Sequence, residues 1–189
     1  MKDLLDDPDV VRDSNLRDAL RSATSAPHAR LDGQLAGLDL TDPQARRDFC
    51  EVQRRGFSRL GEACHWHAAE ASDALIATLR ALDVDLGRPL ERSGPGRDLP
   101  LHSDAVAYLL LGSQLGAAML RRSMPQPPER GYFALPPARG AWRAFCQRLS
   151  AQPARCPEAQ RVLRDAIRAF SIFEYEARAV MTAPTAGAT

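Results

Sequence analysis

The stretch Leu20-Arg21-Ser22-Ala23-Thr24-Ser25-Ala26-Pro27-His28-Ala29-Arg30-Leu31-Asp32 sets a histidine and a carboxylate one helical turn apart. At about 100° per residue, Leu16, Leu20, His28, Leu31 and Leu35 share one sector, so His28 is predicted to point inward from an amphipathic helix. A buried neutral imidazole needs a partner for each ring nitrogen. Asp32 lies in reach of one, and the other faces whatever fills the interior. That is the arrangement of an axial metal ligand with a carboxylate behind it. It equally fits a core histidine satisfied by a backbone carbonyl.

The second chemically suggestive stretch is Tyr108-Leu109-Leu110-Leu111-Gly112-Ser113-Gln114-Leu115-Gly116-Ala117. Each glycine inside a helix costs about 1 kcal/mol relative to alanine. Gly112 and Gly116, four residues apart, bare one strip of helix surface, which admits either a second helix packed closely or a flat ligand. Together with His28 they suggest the two faces of a slot for a planar metal macrocycle.

Other residues offer less. His65 and His67 stand about 200° apart on a helix and cannot chelate one ion. His102 is placed to cap a helix, and Trp66 and Trp142 are expected as core anchors rather than cofactor contacts. Cys50, Cys64, Cys146 and Cys156 form no CxxC pair and are expected as buried, reduced thiols, which suits the cytoplasm. No phosphate-binding glycine loop, dinucleotide fingerprint or nucleophile elbow occurs, so no built-in reductase is implied.

The elements that must position these groups read as helices throughout. A first helix is expected over 14–35 with Ser14 as its cap, either kinked at Pro27 or restarted there with Ser25 capping. Thr41-Asp42-Pro43 opens a second, carrying Phe49, Val52, Phe57, Leu60 and Cys64. Further segments cover 69–86, 103–124, 141–151 and 157–181, with long Gly/Pro-rich connections over 87–100 and 125–140. No sustained two-residue alternation appears, so the expected fold is all-α: one helical bundle over 14–181, with loose tails at 1–13 and 182–189. The apolar run 105–120 is shorter than the roughly 20 residues of a membrane span. With 25 Lys and Arg against 24 Asp and Glu in 189 residues, the chain has no electrostatic footprint for nucleic acid or an anionic membrane.

Leu20-Arg21-x-Ala23-Thr24-x-x-x-His28-x-x-x-Asp32, followed by Tyr108-x-Leu110-x-Gly112-Ser113-x-Leu115-Gly116, resembles the bacterial heme oxygenases, particularly those that supply biliverdin to bacteriophytochromes. The resemblance implies the family's helical fold. It also implies heme as both cofactor and substrate, dioxygen as co-substrate, and biliverdin, carbon monoxide and iron as products. His28 takes the place of the proximal iron ligand and Asp32 that of the acidic residue behind it. Gly112, Ser113 and Gly116 fall on the distal helix, with Thr24 and Tyr108 in the same two motifs. Arg21 and Arg143 fall where basic residues pair with heme propionates. An external electron donor such as ferredoxin or a reductase is implied, and a bacteriophytochrome is a candidate recipient of the product. Three residues depart from the pattern: Ala117 replaces a second consecutive glycine, Asp32 replaces the usual glutamate, and Pro27 precedes the histidine. A non-catalytic heme- or bilin-binding protein of the same fold is the alternative that Ala117 motivates.

Overall fold

The structure is a computed structural model that describes residues 15–88 and 100–182. Six helices follow one another: α1 (Leu16–Leu35), α2 (Pro43–Ala63), α3 (Ser72–Leu86), α4 (Ser103–Ser123), α5 (Arg139–Ser150) and α6 (Pro157–Met181). Two 3-10 turns, Ala69–Ala71 and Tyr132–Ala134, interrupt the connections before α3 and α5. Among the described residues there is no strand, only an isolated bridge between Asn15 and Pro153. The fold is therefore all-α, as expected. The tail at 1–13 and Ser14 lie outside the described residues, as do all but Thr182 of the C-terminal tail and most of the 87–100 connection.

Local chemistry fixes the helix starts. Asn15, not Ser14, caps α1, its side chain accepting from the Asp18 N–H at 3.0 Å. Asp42 accepts from the Ala45 N–H at 2.7 Å, and Pro43 takes the first helical position, where a missing N–H costs nothing. The imidazole of His102 caps α4 by accepting from the Asp104 N–H at 3.1 Å, and its other nitrogen lies 2.6 Å from Glu158 Oε1. Cys156 caps α6 through sulfur and is only half-buried, unlike the other three cysteines. Helix α1 runs unbroken across Pro27, so it does not restart there with Ser25 as a cap.

Helix α6 is the axle, packing against α1, α2 and α4. Its buried face alternates small and large residues, Ala159, Val162, Ala166, Ala169, Phe170, Phe173 and Ala177. The alanines let neighbouring helices approach, and the phenylalanines fill the remaining space. Each large apolar side chain buried this way contributes about 1.5–3 kcal/mol. Charged residues in the seams are paired: Arg30 grips Glu174, Arg59 meets Glu176, Arg54 meets Asp83 and Arg148 meets Asp104. Helix α4 is long and apolar enough to cross a membrane, yet half of that window is buried inside the bundle, as in a core helix.

Candidate functional site

Between α1 and α4, each seated on α6, lies a cavity of about 700 Å³, within the usual range for small-molecule sites. Leu31, Leu35, Leu38 and Leu40 close it on the α1 side, and α4 contributes Tyr108, Gly112, Ser113, Leu115 and Gly116. Phe170 and Phe173 of α6 form its floor, and Trp142 of α5 flanks it.

His28 stands in this wall. Its Nδ1 lies 2.8 Å from Asp32 Oδ2, and its ring packs on Phe170 at 5.7 Å between centroids. The expected burial of the imidazole does not hold: the side chain is 62% exposed. The helical sector points toward the interior, but past Pro27 that interior is the open cavity rather than packed core. With Nδ1–H donated to Asp32, the Nε2 lone pair is the nitrogen left for a ligand.

The glycine pair behaves differently from a helix-packing motif. A Cβ built on Gly112 or Gly116 would meet no atom within 4 Å, so no second helix occupies the strip. Both glycines line the cavity, and the bare backbone faces open space there. Among the described residues, close helix packing therefore does not account for the pair.

The remaining predicted residues divide. Tyr108 lines the cavity, and its hydroxyl lies 3.3 Å from that of buried Thr24, which also donates to the Leu20 carbonyl. Thr24 thus braces α1 against α4 from behind the wall. Trp142, expected as a core anchor, is instead half-buried and lines the cavity. Arg143 lines an adjoining pocket that shares Leu115 and Trp142 with the cavity. Arg17 and Arg139 stand in that pocket too, and among the described residues none of the three is paired with a carboxylate. Arg21 is exposed and lines neither space. His65 and His67 are exposed, in a reversal after α2 where His65 and Trp66 have positive φ.

The sequence reading missed Gln53 and Tyr132. Both line the cavity, and Ser113 Oγ lies 3.3 Å from Gln53 Oε1 and 2.8 Å from the Tyr132 hydroxyl. Gln53 had a readable signal: it stands four residues from both Phe49 and Phe57, a polar side chain in the middle of a core-facing stripe. Tyr132 had none, because a short turn inside a Pro/Gly-rich connection carries no periodicity.

These residues fit a heme. They provide one accessible imidazole backed by a carboxylate, a bare helix strip, an apolar slot and, at its flank, guanidinium groups with no carboxylate partner among the described residues. Neither the models of protein families nor the curated proteins give a match to this sequence. Among solved structures, the chain is similar to the NO- and CO-bound heme oxygenase from Neisseria meningitidis, at 20% identity over 92% of this chain and 95% of that one, with a TM-score of 0.64. That likeness establishes the fold: this chain has the all-helical architecture of a bacterial heme oxygenase.

Proposed function

We propose that the protein binds heme between α1 and α4 and acts as a heme oxygenase, releasing biliverdin, carbon monoxide and iron with dioxygen and electrons from an external donor. The observation that carries this reading is His28, whose Nδ1 is engaged by Asp32 and whose ring opens onto the cavity opposite the bare glycines. When bound, heme supplies the iron at which dioxygen is reduced and the carbon skeleton that is oxidised.

The chain's own groups hold and orient. Asp32 keeps the proton of His28 on Nδ1, which leaves the Nε2 lone pair for a ligand. Gly112 and Gly116 let the backbone of α4 come against the ligand's face, and leucines on both sides exclude water. The Ser113 hydroxyl, bonded to Gln53 and Tyr132, ties the wall at that face to α2 and to the turn at Tyr132. Arg143, helped by Arg17 and Arg139, would pair with carboxylates at the pocket mouth through charge-assisted bonds. Arg21 has no such view of the cavity, so its expected share in that task passes to these three. A ferredoxin or reductase fits as the electron source, and a bacteriophytochrome as a recipient of biliverdin, in a cytoplasmic setting.

Titration with hemin, followed by dioxygen and a reducing partner, tests the reading. We expect a saturable heme complex whose absorbance converts to that of biliverdin. His28→Ala should weaken hemin binding at least about tenfold, roughly 1.4 kcal/mol, and stop turnover while circular dichroism stays unchanged. Hemin bound and retained under turnover conditions would mark a heme carrier instead, and no complex at all would refute the site.

A further inference from the structure

Three hydrogen-bonding side chains from three elements meet at the cavity wall: Gln53 of α2, Ser113 of α4 and Tyr132 of the second 3-10 turn. Gln53 is 5% exposed and Tyr132 2%. Burial pushes the Tyr132 phenol above its usual range, so its hydroxyl keeps its proton.

The direction of the chain follows from counting donors. Tyr132 has Ser113 Oγ as its hydrogen-bond partner at 2.8 Å, and Ser113 donates to Gln53 Oε1 at 3.3 Å. The phenol proton therefore goes to Ser113, and the Ser113 proton to Gln53. With the amide reversed, Ser113 would accept from both Gln53 and Tyr132, and its own proton would have to leave the trio for a partner that no hydrogen bond among the described residues supplies. The first order satisfies every group inside the protein except one. Gln53 Nε2, on the cavity wall, has no partner among the described residues.

The turn that presents Tyr132 is itself pinned. Asp85 Oδ2 accepts the Tyr132 backbone N–H at 2.7 Å and the Cys50 thiol at 3.7 Å. Gly131 adopts φ +82° with its Cα against the Asp85 carboxyl, so a side chain there would collide with it.

We propose that Gln53 is a ligand-binding residue: its Nε2 donates a hydrogen bond to an acceptor atom of the small molecule held opposite His28. Tyr132 and Ser113 are the positioning residues that fix the amide with nitrogen toward the cavity. This rests on the reading of the cavity as a heme site, in which the acceptor belongs to the second axial ligand. A donor fixed there favours ligands that carry partial negative charge on their outer atom, and it discriminates against those that do not.

Two measurements test the proposal separately from the heme reading. In the hemin-free protein, the side-chain amide pair of Gln53 is assigned in nitrogen–proton NMR spectra by its loss in Gln53→Met. We expect that pair to shift in both Tyr132→Phe and Ser113→Ala, and an unmoved pair in both would overturn the orienting chain. In the ferrous, CO-loaded protein, a donor to the carbon monoxide oxygen lowers the C–O stretch. We expect the stretch to rise in Gln53→Met and to rise by less in Tyr132→Phe. A stretch identical in wild type and Gln53→Met would overturn the ligand contact. A wild-type protein that forms no hemin complex would defeat the heme reading and this contact together, leaving the amide orientation to stand or fall on the NMR result.

Discussion

Helices α2 and α4 each carry two interior glycines, and the two pairs do opposite things. A Cβ on Gly56 would sit 2.5 Å from the Phe173 ring, and one on Gly61 would strike the Trp66 ring. The same atom on Gly112 or Gly116 would reach nothing within 4 Å. All four cost a helix about 1 kcal/mol each against alanine. In α2 that cost is offset by two aromatic rings brought against the backbone. In α4 no group among the described residues offsets it, which fits the proposed role of this strip against a ligand. The sequence alone could not separate these cases, since a glycine inside a helix does not show what faces it.

The sharpest way to break this contrast is Gly56→Ala. Phe173 is held edge-on against Phe57 at 5.0 Å and has little room to retreat. We expect a loss of about 1–3 kcal/mol in urea unfolding, even after the gain in helix propensity. A variant as stable as the parent would show that the α2–α6 seam yields easily. Gly116→Ala should have the opposite sign in hemin-free protein, raising stability by up to about 1 kcal/mol, or some 2–4 °C in melting temperature. The same variant should bind hemin more weakly, and a fall in both quantities would reveal a packing role for the strip.

A smaller effect concerns the flanking arginines. Arg143→Ala is expected to weaken hemin binding about fivefold, near 1 kcal/mol, whereas Arg21→Ala should leave affinity unchanged because Arg21 faces neither pocket. Equal losses in titration would mean that the ligand reaches beyond the cavity mouth. The smallest effect is set by pH. Burial raises the Asp85 carboxyl above 3.8, against the lowering effect of the Tyr132 N–H, so the folded protein holds this proton more tightly than the unfolded chain. Stability from neutral Asp85 is full below 3.8 and is lost as pH rises through the raised value. Asp85→Asn keeps an acceptor but cannot ionise. Its melting temperature relative to wild type should therefore climb between pH 4 and pH 7, and a constant difference would count against the assignment.

The helices were readable because their causes are local. Asp42-Pro43 marks the start of α2, and the apolar spacing of 157–181 gives α6 to the residue. His28, Asp32, Gly112 and Gly116 were readable as a set because their spacings put them on defined helix faces. What escaped depends on distant partners. The turn at Tyr132 exists because Asp85 holds its N–H and Gly131 tolerates positive φ, and neither fact is visible from the connection itself. The exposure of His28 escaped for a related reason: periodicity tells which side of a helix faces inward, but not whether that side meets side chains or space.

Pro27 has a further consequence. Every buried residue of α1, namely Leu16, Leu20, Thr24 and Pro27, lies at or before the proline, which also removes the backbone bond to the Ala23 carbonyl. From His28 to Leu35 the helix is held by the Arg30–Glu174 grip, the ring of Phe170 and the partly buried Leu31 and Leu35. We expect the two halves of α1 to open separately, so that amide hydrogens beyond the proline exchange with deuterium before those ahead of it. A heme held by His28 as proposed would join the two, so we expect the occupancy of the cavity to be written in the deuterium uptake of a single half-helix.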